Sequence, residues 1–147
     1  MPLEWNGIER RLERLNECLL KLEPLKTKTS DEFSSDPYLK DIVERNLEVA
    51  AQACIDIANR IISMKQLKKP LDAYGSIEML GKVGILPQTL ADRLAPIAGF
   101  RNILVHEYLE IDWNEVLHNL QRMGDLHDFM GHIKTWLKVR DRSDNFG

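Results

Sequence analysis

From Ile8 the apolar residues fall at Ile8, Leu12, Leu15, Leu19, Leu22 and Leu25, a 4-3-4-3 rhythm that closes into one stripe on a helix ending near Pro24. Thr27 to Asp36 are polar and carry no period, which predicts a loop. Ser35 or Asp36 can cap the next helix, and Pro37 suits its first turn because a missing N–H has no partner to lose there. That second helix is predicted from Pro37 to about Gln66. Leu39, Ile42, Val43, Leu47, Ala50, Ala51, Cys54, Ile57, Ala58, Ile61 and Ile62 give it a stripe wide enough for more than one neighbour. Its small residues Ala50, Ala51, Ala53, Cys54 and Ala58 allow another helix to come close.

Lys68-Lys69-Pro70 and Gly75 break the pattern, and Ser76 to Lys82 read as a short helical segment stopped by Gly84. Pro87 opens a further helix carrying Leu90, Leu94, Ile97, Ala98 and Phe100. Asp112 with Glu115 forms a capping-box pattern for the last helix, whose apolar side is Val116, Leu117, Leu120, Met123, Leu126, Met130, Ile133 and Leu137. No stretch alternates with the period of two that a strand requires, and no internal repeat interrupts the series. The expected fold is all-α: an antiparallel four-helix bundle with an additional short helix, one domain over residues 1–139 and a polar, frayed tail over 140–147.

Length changes this picture little, since 147 residues suit a single domain with a substantial core. No apolar run approaches the ~20 residues of a membrane span, and no basic segment followed by an apolar one opens the chain, so neither insertion nor secretion is expected. Cys18 and Cys54 sit among apolar helical neighbours and read as packed free thiols, in keeping with a reducing cytoplasm. A net charge of −3 and a pI near 5.8 argue against broad, sequence-blind binding of nucleic acid, which rests on many cations. Any nucleic acid must be gripped locally.

The chemistry concentrates in Arg101-Asn102-Ile103-Leu104-Val105-His106-Glu107-Tyr108. An arginine can hold a phosphate through its planar fork and offset transition-state charge. A histidine can take or give a proton near neutral pH, which suffices for RNA because the 2′-hydroxyl is a built-in nucleophile. Plainer roles exist for each: a cation near a helix C-terminus, a solvated amide at Asn102, a surface imidazole, and a wet tyrosine at the bundle edge. Five helical steps set Arg101 and His106 about 140° apart, so a helix ending near Leu104 and a turn over His106 to Ile111 are expected to bring them together. His118, His127 and His132 lack a ligand spacing with Asp128 or the cysteines, so no metal site is expected. Trp5, Trp113 and Trp136 read as packing residues.

Arg-x4-His followed by x-Tyr and preceded by Gly99-Phe100, together with Gly84-Ile85-Leu86-Pro87 and Leu94-Ala95-Pro96-Ile97-Ala98 upstream, resembles the HepT-like ribonuclease toxins of the HEPN superfamily over roughly Ile8 to Leu137. The resemblance implies a metal-independent, cofactor-free endoribonuclease with Arg101, Asn102 and His106 at a homodimer cleft. It also implies a minimal nucleotidyltransferase antitoxin that transfers AMP onto Tyr108. Gly99, costly inside a helix, points to close backbone approach at that cleft. The alternative is a non-catalytic helical module that binds a nucleotide or a nucleotidyltransferase partner.

Overall fold

Helix starts follow from side chains that satisfy the first free backbone N–H groups. In the computed structural model, which describes the backbone of residues 3–146 and the side chains of 7–140, eight α-helices and no strand are present among the described residues. Helix α1 spans Leu3–Leu22 and passes into a 3-10 turn, Glu23–Leu25, at Pro24. Helix α2, Ser30–Ser35, occupies the stretch expected to be a loop. Thr29 Oγ1 accepts from Glu32 N at 3.1 Å while Thr29 N donates to Glu32 Oε1 at 3.4 Å. This reciprocal capping box starts a helix too short to show a period. Phe33, fully buried, anchors it edge-on to Trp113 with ring centroids 5.2 Å apart.

Helix α3, Pro37–Met64, starts as the sequence predicts, with Asp36 Oδ1 accepting from Tyr38 N at 3.0 Å. Its stripe from Val43 to Ile62 is buried; Leu39 is half-buried, and Ile42 is exposed near the helix start rather than in the core. Arg11 faces Asp56 and the Arg60 guanidinium lies against Gly7, so α1 and α3 run antiparallel. Helix α4, Ala73–Lys82, is tied to α3 by Ser76 Oγ donating to Asn59 Oδ1 at 2.6 Å. Gly84 ends the segment at φ +81°, a left-handed conformation that glycine adopts without strain.

The two remaining long helices expected from the pattern are each broken. The one from Pro87 divides into α5, Gln88–Leu94, and α6, Ile97–His106, because Pro96 has no N–H to continue the ladder. Across the break, Ala98 N donates to Ala95 O at 3.2 Å and Gly99 N to Pro96 O at 3.1 Å. The last one divides at Arg122 into α7, Trp113–Gln121, and α8, Met123–Phe146. There Arg122 turns to donate to Arg93 O at 2.5 Å and to Asp125 Oδ2 at 3.2 Å, a clasp onto α5 that a straight helix would forgo. The capping box expected at Asp112 and Glu115 is a simpler cap, with Asp112 Oδ1 accepting from Asn114 N at 2.9 Å.

Leu12, Leu15, Leu19, Leu47, Ile57, Ile61, Leu120, Phe129 and Ile133 lie in one core shared by α1, α3, α7 and α8. Cys18 and Cys54 are buried free thiols, as expected, and burial raises the pKa of both. Trp113 and Trp136 pack against the core, as expected, whereas Trp5 and nearly all of the expected tail 140–147 have side chains outside those described. Among the described residues no helix is long and apolar enough to cross a membrane.

Candidate active site on helix α6

Ile97, Ala98, Phe100 and Leu104 are buried, and this row fixes the rotation of α6 on the bundle. The rest of the helix surface is then determined. Gly99, Asn102 and His106 face solvent, with Asn102 and His106 one turn apart on the same side. Arg101 occupies the flank beside the buried row and is half-buried against α3.

Helix α6 does not end near Leu104. It runs through His106, and Glu107 closes it by donating N–H to Ile103 O at 2.9 Å. The apolar contacts of Leu104 and the intact backbone ladder outweigh the modest helix preference of Val105. Arg101 and His106 therefore remain about 140° apart on a single helix. No hydrogen bond joins them among the described residues.

Two acceptors hold the Arg101 guanidinium. Its Nε donates to Asn102 Oδ1 at 2.9 Å, and its NH1 donates to Gln52 Oε1 of α3 at 2.5 Å. Gln52 Nε2 in turn donates to Asp56 Oδ1 at 2.8 Å, and the other carboxylate oxygen of Asp56 lies 3.7 Å from Arg11 Nε on α1. Guanidinium carries five N–H groups, so those left over can engage an anion. Asn102 thus links the two sides of α6, sharing a face with His106 while orienting Arg101.

His106 is exposed and has no hydrogen-bond or ion-pair partner among the described residues. It is followed by a turn in which Glu110 N donates to Glu107 O at 3.1 Å. Tyr108 stands in that turn with 69% of its surface exposed, and Val105 and Leu109 are exposed beside it. A Cβ on Gly99 would meet nothing within 4 Å, so the close approach expected there does not come from within this chain. His118 lines an open groove with Gly99, Phe100 and Ile103. His127 lies 3.9 Å from Glu23, and His132 is half-buried. Among the described residues no three His, Cys, Asp or Glu side chains converge as metal ligands.

Gln52 and Asp56 were not among the candidates read from the sequence. Their signal was present as two isolated polar positions, four apart, within the otherwise apolar run Val49 to Ala58. That spacing puts them on one face of α3, but which element they meet is a tertiary matter.

Comparison with known proteins places the chain in a family. The family model "Ribonuclease HepT-like" matches residues 8–133. A curated relative named mRNA nuclease HepT, from Shewanella oneidensis, is 33% identical over 129 residues, covering 87% of this chain and 96% of the relative. A tRNA nuclease HepT from Aphanizomenon flos-aquae is 38% identical over 109 residues, 74% of each chain. Among solved structures, a tri-AMPylated HEPN toxin of Shewanella oneidensis in complex with its MNT antitoxin superposes with a TM-score of 0.78 at 31% identity, covering 92% of this chain and 99% of that one. The match spans every helix that builds the Arg101–His106 face, and the chain belongs to the HepT-like ribonuclease family.

Proposed function

We propose that this chain is the toxin of a toxin–antitoxin pair, an endoribonuclease that cleaves RNA at a homodimer cleft lined by Arg101, Asn102 and His106. The observation that carries the reading is the combination on α6 of a guanidinium fixed by two neutral acceptors and an exposed imidazole with no partner of its own. The reaction needs a base to take the 2′-hydroxyl proton and an acid to give one to the departing 5′-oxygen. Each chain carries one His106, so a two-fold dimer supplies one imidazole for each role. The divergence of Arg101 and His106 on one continuous helix favours this, because the groups facing one phosphate then come from two copies of α6. The open surface at Gly99 suits the approach of that second helix.

One His106 takes the proton from the 2′-oxygen, which attacks phosphorus as the bond to the 5′-oxygen breaks. The second His106 protonates that oxygen. A 2′,3′-cyclic phosphate and a 5′-hydroxyl result, with no metal required by the proton balance. Arg101 stabilises the extra charge on the phosphoryl oxygens. Single-stranded or looped RNA is the substrate class, because its backbone can be splayed into a cleft. RNA as substrate and two buried free thiols support a cytoplasmic location. A nucleotidyltransferase antitoxin silences it by AMPylation of Tyr108.

Purified protein incubated with RNA in EDTA tests this. Cleavage yielding cyclic-phosphate ends, lost in His106→Ala and Arg101→Ala proteins that still dimerise, is the expected result. RNA left intact by wild type would remove the enzyme claim and leave a helical binding module.

A further inference from the structure

We propose that Gln52 and Asp56 are positioning residues for Arg101, holding its guanidinium at a fixed angle without cancelling its charge. The inference rests on Arg101 as the phosphate-holding group. Asp56 is an acceptor only, so the amide nitrogen of Gln52 must face it and the amide oxygen must face Arg101. The carboxylate thereby sets which end of the amide the arginine meets. Asp56 is itself held near Arg11, whose NH1 donates to Gly7 O at 3.1 Å. The orientation of Arg101 on α6 is therefore referred through α3 to the backbone of α1.

The choice of glutamine over glutamate is the chemically informative part. A carboxylate at position 52 would bond arginine more strongly. It would also neutralise the charge that must answer the dianionic transition state and draw the fork away from substrate. A neutral acceptor orients the group and leaves its charge available. The amide also supplies the N–H that Asp56 accepts, so a test must keep that bond while changing the charge at position 52.

Steady-state cleavage of a fluorogenic single-stranded RNA by the full-length protein, with thermal melts alongside, separates the two roles. Gln52→Glu combined with Asp56→Asn, in which an amide at position 56 donates to the new carboxylate at position 52, should melt close to the wild-type temperature while kcat falls about tenfold and KM stays nearly constant, the pattern of a lost transition-state interaction. Asp56→Asn, whose amide no longer dictates the orientation of Gln52, should show a smaller loss of kcat. Because Gln52→Leu leaves Asp56 without its donor and Gln52→Glu alone sets two carboxylates together, the double variant is the deciding one. Wild-type kcat in the double variant overturns the positioning role even if Arg101→Ala is inactive. Wild type and Arg101→Ala cleaving alike would instead sink the nuclease reading, and this inference with it.

Discussion

Gln52 and Arg101 are 49 residues apart in the chain, and their side chains meet at 2.5 Å across the contact between α3 and α6. The bond converts a flexible cation into a directed one. Arginine loses rotamer freedom when it binds a ligand, and a side chain already held by Gln52 and Asn102 has less to lose. Pre-organisation on this scale is established by packing, before any substrate arrives.

Because one helix keeps Arg101 and His106 on different sides, the site should depend on two intact copies. His106→Ala chains mixed with Arg101→Ala chains form dimers holding one His106 and one Arg101. Such dimers should recover little of the wild-type rate, since acid and base cannot both be histidine. Cleavage assays after subunit exchange, with sedimentation to confirm the dimer, check this. A fully active monomer would contradict it.

Tyr108 is the exposed phenol closest in sequence to His106, two residues away in the turn that follows α6. In the proposed dimer cleft an AMP added there would set a negative phosphate where substrate RNA must enter, opposing its binding by charge and by bulk. Intact-protein mass spectrometry after incubation with ATP and the partner nucleotidyltransferase should show one or more AMP increments, mapped to Tyr108, with loss of cleavage. Tyr108→Phe should stay toxic in cells expressing the partner. Adducts on Tyr38 or Tyr74, both also exposed, would reassign the site.

Phe33 carries α2 on a single buried ring against Trp113. Phe33→Ala should cost about 3–5 kcal/mol, the usual result of emptying a buried aromatic site. Thr29→Ala, which removes the capping box, should cost about 1 kcal/mol. Urea unfolding gives both numbers; a Phe33→Ala protein as stable as wild type would show that α2 contributes nothing to the core.

Cys54 should make stability fall at high pH. Its thiol is fully buried, and desolvation raises its pKa far above the ordinary 9.0. The unfolded chain therefore releases this proton first, and the stabilisation present below pH 9.0 is progressively lost above it, by at most about 1.4 kcal/mol per pH unit. Burial raises Cys18 in the same direction. Denaturation series from pH 8 upward on wild type and Cys54→Ala isolate the contribution as their difference in slope. Equal slopes would mean that the thiol ionises as readily folded as unfolded.

The sequence by itself determined the helical class, the caps at Asp36 and Asp112, the buried stripes of α1 and α3, and the chemical character of Arg101, Asn102, His106 and Tyr108. Those are local properties: periodicity, capping and side-chain type act within a few residues. Where long-range contacts compete with local pattern, only the tertiary structure decided. Phe33 makes a helix of an aperiodic stretch because Trp113 is there to receive it, and Arg122 breaks a periodic one because Arg93 and Asp125 reward the turn. Leu104 keeps α6 intact through His106 because its burial rewards continuing the helix. Gln52, unremarkable along the chain, reaches Arg101 while it bonds Asp56 because folding lays α3 against α6.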